Sequence, residues 1–155
     1  MTMNDRAQAW LNVYKAEVGE NTIQANAWQF GTQPDQLAKL VVEGKKTATC
    51  SLYKLYTIEK EPLPQVGQYQ IILSSQDEPV ALIRTHTIDI EPMKEVPVEF
   101  ALAEGEGDGA YQFWWDEHLK FFNELACEFN ISFDSSDLLV CERFEVVKIN
   151  NDIRL

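Results

Sequence analysis

Gln68-Tyr-Gln-Ile-Ile-Leu73 and Val80-Ala-Leu-Ile-Arg-Thr-His-Thr-Ile-Asp-Ile90 form the stretch that decides the fold. Both runs are rich in β-branched and aliphatic residues. Between them Asp77-Glu78-Pro79 carries the turn residues of a hairpin, so the pair reads as two antiparallel strands. Working outward, Pro62, Pro64 and Gly67 punctuate the chain before the hairpin, and Thr47 to Tyr53 is another run of β-formers. Further upstream the texture is helical. Asn4 or Asp5 caps a helix through about Val18, with Ala7, Trp10, Leu11, Tyr14 and Val18 at helical spacing. After a loop holding Trp28, Phe30 and Gly31, Asp35 caps a short helix whose stripe is Leu37, Leu40 and Val41, and Gly44 stops it. Downstream, residues 91–109 are acidic and rich in Pro and Gly. Asp108 caps a helix over Ala110 to Cys127, and Leu139 to Ile149 alternates as a last strand, with Val140, Phe144 and Val146 on the face of Glu142. The order helix, helix, strands, helix, strand lacks β-α-β alternation and any G-x-G-x-x-G. It predicts an α+β domain around a mostly antiparallel sheet or small barrel, and not a doubly wound nucleotide fold.

The chain has 155 residues, enough for one domain with a real core, and 45% of them are hydrophobic. No apolar run reaches membrane-spanning length and the first residues lack an apolar signal core, so a cytoplasmic protein without membrane contact is expected. Thirteen basic against 25 acidic side chains give a net charge of −12. Duplex DNA is thereby excluded as a non-specific partner, because phosphate neutralisation supplies most of that affinity. Cys50, Cys127 and Cys141 lie far apart without C-x-x-C spacing, which predicts reduced thiols rather than a disulfide framework or a structural zinc site. With only His86 and His118 available, a catalytic zinc would have to recruit carboxylates or cysteines.

Charge is unevenly spread. Residues 39–60 carry five lysines and two glutamates, a balance of +3 that leaves −15 for the rest. Such a segment suits either a solvated surface or a site for an anion or polar ligand. Within it Gly44-Lys45-Lys46-Thr47-Ala48-Thr49 sits where a helix ends and a strand begins. Two adjacent, partly desolvated ammonium groups would depress one another's pKa, and a lysine so depressed serves as a general base. Thr49 offers a hydroxyl, although positions three apart on a straight strand face opposite ways and cooperation with Lys46 needs a bend. A second constellation, Glu104-Gly105-Glu106-Gly107-Asp108, suits helix entry, acid/base chemistry or a Mg²⁺ perch. Among the aromatics, Trp115 and Phe122 are expected in the core. Loop-borne Trp28 is the better stacking surface for a base. His118, one turn beyond Trp114, reads as a hydrogen-bonded core or cleft histidine, and Arg84, in an apolar strand, either faces solvent or meets a carboxylate or ligand in a cleft.

Taken in order, these segments resemble the ASCH domain family, in a bacterial branch once catalogued only as a domain of unknown function. The resemblance runs over about residues 25–148. It is carried by Trp28-x-Phe30-Gly31, Gly44-x-Lys46-Thr47-Ala48-Thr49, Pro62-Leu63-Pro64-x-x-Gly67 and Phe100-Ala-x-x-Glu104-Gly105-Glu106-Gly107-Asp108. Trp114 or Trp115 with His118, Phe121-Phe122 and Val140-Cys141-Glu142-Arg143-Phe144 complete it. It implies one domain over 1–155 with a helical extension at about 1–24, and a PUA-like small, mostly antiparallel β-barrel with flanking helices, a fold tied to RNA. Some family members hydrolyse N4-acetylcytidine with a lysine, a threonine and a glutamate, which by motif fall on Lys46, Thr49 and Glu104, with Glu106 as the alternative alignment. Where those hydrolases carry an arginine two residues after the threonine, Ser51 stands here.

Three functions follow as expectations. In the first, an amidohydrolase acts on an acylated nucleoside without metal or other cofactor, with Lys46 as base, Thr49 as nucleophile or water-orienting hydroxyl and Glu104 as proton shuttle. Trp28, Lys45, Ser51, Arg84, Glu106, Trp114 and His118 would bind substrate. In the second, a ribonuclease on single-stranded RNA holds phosphates with Lys45, Lys46 and Lys54 and Mg²⁺ with Glu104, Glu106 or Asp108. In the third, a non-catalytic module binds RNA or a nucleotide.

Overall fold

The computed structural model describes residues 3–155; Met1 and Thr2, the start of the expected helical extension, lie outside them. Five strands form one mixed sheet in the order β1-β3-β4-β5-β2: β1 (Ala25–Trp28), β2 (Ala48–Leu52), β3 (Tyr69–Leu73), β4 (Pro79–Pro92) and β5 (Leu138–Ile149). Five α-helices accompany them: α1 (Asp5–Val18), α2 (Pro34–Val42), α3 (Tyr53–Ile58), α4 (Val98–Ala103) and α5 (Tyr111–Glu128). The α+β class is as expected, but the sheet is open. A barrel closes only when its first and last strands pair, and the edge strands here are the four-residue β1 and the five-residue β2, which share no ladder.

Within the chain two compact units can be distinguished. The first comprises Met1–Lys45, Gln65–His86 and Phe144–Leu155, the second Lys46–Pro64 and Thr87–Arg143. In the first unit β3 pairs antiparallel with β4, from Tyr69 opposite Arg84 to Leu73 opposite Pro79, with a bulge at Ile72/Leu73. The turn between them places Asp77 at φ +58°, and the Ser74 hydroxyl accepts from the Gln76 and Glu78 amides. Alternate residues serve two cores. Ile71, Leu73 and Leu82 pack with Ala7 and Leu11 of α1, while Ile72, Ala81 and Ile83 pack with Leu37, Ala38 and Val41 of α2. Burial on both faces is why these strands read as near-continuous apolar runs.

Local signals at the first helices are partly as read. The Asn4 side chain accepts from the Ala7 amide at 2.9 Å, capping α1, and Gly19 closes it at φ +71°. Asp35 does not cap α2. Its carboxylate instead accepts from the amide and hydroxyl of Ser75, at 2.7 and 2.6 Å, because Gln33 enters the helix at φ +43° and occupies the cap position. The segment expected as a loop around Trp28 contains β1, which pairs parallel with β3; the four residues Ala25-Asn-Ala-Trp28 are too short a run, with too few β-formers, to announce a strand.

In the second unit β2 pairs antiparallel with β5 in unbroken register, from Ala48 opposite Arg143 to Leu52 opposite Leu139. One core joins Ala48, Leu52, Leu55, Met93, Phe100, Trp114, Phe122 and Leu139. Phe122 is fully buried and meets the rings of Phe121 and Phe133, centroids 5.4 and 5.3 Å away. Trp115, expected in the core, is only half-buried, and Trp114 takes the buried position. Phe122→Ala is predicted to lower the unfolding free energy by about 3–5 kcal/mol in urea titrations, since close-packed rings leave a cavity. Val66→Ser, at an exposed position, is predicted to change it by no more than about 0.5 kcal/mol.

Candidate functional site

The second unit gathers a polar cluster around one carboxylate, that of Glu104, which follows the last turn of α4. A helix end leaves carbonyls without intrahelical partners. Here the Thr47 amide donates to the Ala103 carbonyl at 2.8 Å and its hydroxyl donates to the same oxygen at 3.3 Å. Those bonds moor the start of β2 to the end of α4 and deliver Lys46 beside Glu104. The Lys46 ammonium then donates to Glu104 Oε1 at 3.1 Å and to Glu106 Oε2 at 3.0 Å. The loop between the two acids turns through Gly105 and Gly107 at φ +71° and +69°. Glycine is needed at 107 twice over, because a Cβ there would also run into the Phe113 ring.

The other carboxylate oxygen, Glu104 Oε2, accepts from three groups. Trp114 Nε1 lies at 2.6 Å, His118 Nε2 at 3.2 Å and Cys50 Sγ at 3.3 Å. His118 Nδ1 donates to the Trp114 carbonyl one helical turn back, at 2.8 Å. Both ring nitrogens therefore face acceptors, an arrangement that favours the doubly protonated imidazole. Helical spacing also stacks the rings. Trp114 lies 4.6 Å from His118 at 24° and 5.6 Å from Tyr111 at 23°.

Electrostatics follow from this geometry. Burial alone would raise the Glu104 pKa, but the Lys46 ammonium, the His118 ring and the donated hydrogen bonds pull it down to about 2. Burial by itself would lower Lys46, yet the two carboxylates outweigh it and hold the amine above its ordinary value. The expected depression by Lys45 does not occur. Lys45 is exposed and faces Glu43 at 3.8 Å. His118 is raised as well, its burial overridden by the bond and charge of Glu104, and burial pushes the Cys50 thiol well up.

The residues singled out from the sequence fall into three groups. Lys46, Glu104, Glu106, Trp114 and His118 converge. Thr49 and Ser51 lie one strand position off. Cys50 faces Glu104, so its neighbours Thr49 and Ser51 point to the other side of β2, where Thr49 pairs with Glu142 and the Ser51 hydroxyl meets the Tyr56 hydroxyl at 2.7 Å. The bend that Lys46–Thr49 cooperation required is absent from this register. Trp28, Lys45 and Arg84 belong to the first unit. There Trp28 Nε1 donates to Gln70 Oε1 at 2.6 Å, and Arg84 lies over Tyr69 and donates to the Gly67 carbonyl. Of the other lysines in the basic segment, Lys54 pairs with Asp137 at 2.9 Å. The sequence predicts Cys50 only as a reduced thiol; the signal for more is its place two residues from Ala48 on an alternating strand.

As for cations, Glu104, Glu106 and Asp108 each have a partner within the protein. The first two hold Lys46, and Asp108 accepts the Ala110 amide at 2.9 Å instead of capping the helix directly. Cys50, Glu104 and His118 do bring ligand atoms within 4.8 Å of one another.

A depressed carboxylate adds stability above its ordinary pKa that is lost as pH falls toward the folded value. The wild-type unfolding free energy is therefore predicted to drop from about pH 5 toward pH 2, and Glu104→Gln to flatten that slope. At neutral pH the same substitution, which strands a buried cation, is predicted to cost about 3–5 kcal/mol by urea unfolding. It should also lower the His118 pKa, read from ring proton shifts by NMR.

The ASCH domain model matches residues 26–148. Protein EF3133 of Enterococcus faecalis V583, described under the family DUF984, is 36% identical over 95% of this chain and 91% of its own, with a TM-score of 0.88. An ASCH domain of Lactobacillus crispatus JV V101 is 32% identical over 95% of this chain and 97% of its own, with a TM-score of 0.86. No curated protein matches the chain. In the described residues no helix is long and apolar enough to cross a membrane. With a family match over most of its length and two folds superposing nearly end to end, this chain belongs to the ASCH domain family.

Proposed function

We propose that this protein hydrolyses the N-acyl amide of an acylated nucleoside of the N4-acetylcytidine type. The observation that carries this reading is the Lys46 ammonium clamped between the buried Glu104 and the more open Glu106, whose side chains are 2% and 21% exposed. A lysine held as a cation is a poor base but a strong donor to a developing oxyanion. The roles therefore shift from those expected. Glu106 is the general base that takes a proton from water. That water adds to the acyl carbonyl, and Lys46 stabilises the oxygen that becomes negative. Collapse breaks the C–N bond, and the proton held by Glu106 passes to the leaving nitrogen, giving the free nucleoside and a carboxylic acid. Glu104 fixes Lys46 and does not touch the substrate, and Thr49 has no part in the step.

The family's general association with RNA supports a nucleoside substrate. The net charge of −12 favours a neutral ligand over a phosphate chain. Cleavage of RNA with Mg²⁺ has less support, because the acids it would use are occupied by Lys46.

Incubation with N4-acetylcytidine is expected to release cytidine, measured by chromatography. Glu106→Gln is predicted to lower kcat by about 10²-fold or more, and Thr49→Ala to leave it within about threefold. Glu106 is partly exposed, so its variant keeps the fold. Absence of release at high enzyme concentration would overturn the reading in favour of a binding-only domain, and an undiminished rate in Glu106→Gln would overturn Glu106 as the base.

A further inference from the structure

We propose that Cys50, Glu104 and His118 form a binding site for a borderline-soft divalent cation of the Zn²⁺ class. The three groups come from three separate elements, β2, the end of α4 and α5, so each is held by its own backbone. Glu104 Oε2 lies 3.2 Å from His118 Nε2 and 3.3 Å from Cys50 Sγ. Bonds of about 2.0–2.3 Å at tetrahedral angles place N, O and S ligands roughly 3.3–3.6 Å apart. The two edges from Glu104 are thus close to what zinc requires, and all three ligand atoms lie within 4.8 Å of one another, so a small adjustment closes the site.

The orientation of His118 is the second observation. Its Nδ1–H is fixed on the Trp114 carbonyl, which leaves Nε2 as the atom aimed at the carboxylate. Metal-bound imidazoles are held in this way, with the far nitrogen tied to a carbonyl. Lys46 does not obstruct the position, because it bonds the other carboxylate oxygen, Oε1. The thiol and imidazole select against Mg²⁺ and Ca²⁺, which prefer an all-oxygen shell.

Charge is conserved between the two fillings. With protons on Cys50 and on both nitrogens of His118, the acids Glu104 and Glu106 balance Lys46 and the imidazolium. When M²⁺ enters, it displaces the thiol proton and the Nε2 proton to solvent. The cluster, with a thiolate and a neutral imidazole, is again neutral. A buried site accepts such an exchange at small electrostatic cost. Three protein ligands leave the fourth tetrahedral position to water.

The test is spectroscopic and independent of any hydrolytic activity. Protein treated with EDTA and freed of it is titrated with Co²⁺, and Zn²⁺ then competes against a chromophoric chelator. One equivalent of Co²⁺ is expected to bind with a near-ultraviolet thiolate charge-transfer band and visible tetrahedral bands, displaced by Zn²⁺ and not by Mg²⁺. Cys50→Ser should abolish the charge-transfer band. His118→Gln should weaken Zn²⁺ binding by about 100-fold or more, since loss of an outer partner alone costs 10–100-fold. Cys127→Ser, at an exposed thiol outside the cluster, should change neither. The proposal is overturned if wild-type protein takes up no stoichiometric Co²⁺ or Zn²⁺. It is equally overturned if uptake persists unchanged in both the Cys50 and His118 variants, each confirmed folded by circular dichroism.

Discussion

A lysine ammonium buried to 1% exposure must be neutralised where it lies, and this constraint organises the second unit of the protein. Taking such a charge out of water costs several kcal/mol, which only close, hydrogen-bonded counter-charge repays. Glu104 supplies it at 3.1 Å and Glu106 at 3.0 Å. Once Glu104 is itself buried, it too must be satisfied, and Trp114, His118 and Cys50 complete its shell. Among the described residues no buried side-chain polar atom lacks a partner. The β2 start, the α4 end and the inner face of α5 therefore meet at one carboxylate, and displacement of any of them would leave a buried charge exposed to nothing.

The same network sets the chemistry. Two carboxylates hold the amine in its charged form, so the cluster offers an N–H donor and a nearby carboxylate rather than a neutral amine base. The buried acid acts as an anchor, and Glu106 is the more open of the two. The stack of Tyr111, Trp114 and His118 along α5 adds a rigid wall, because aromatic rings three and four residues apart on a helix lie over one another.

Several local devices were legible without coordinates because their causes are local. The Asn4 cap, the Gly44 stop at φ +76°, the hairpin at Asp77 and the long aromatic helix depend on residues a few positions apart. The importance of Lys46 and of the Glu104–Glu106 loop was legible as well, from an unusual lysine pair at a helix-to-strand boundary and from acids alternating with glycines. Misreadings arose where the cause lay elsewhere in the chain. Asp35 has the sequence context of a cap, but Ser75, forty residues on, claims its carboxylate. The strand at Ala25–Trp28 exists because β3 offers it a parallel edge. The pairing of β2 with β5 sends Thr49 and Cys50 to opposite faces, so the thiol reached Glu104 and the hydroxyl did not.

By itself, then, the sequence determined the α+β class, most helix and strand positions, the acidic balance and the segments that carry the site, since these follow from periodicity, capping chemistry and charge counted along the chain. Only the tertiary structure decided that the sheet stays open, that Lys46 is a fixed cation, and that Cys50 and His118 share a carboxylate. Ionisation states and convergent contacts depend on which groups are desolvated together, and residues separated by more than fifty positions acquire a common environment only when the chain has folded.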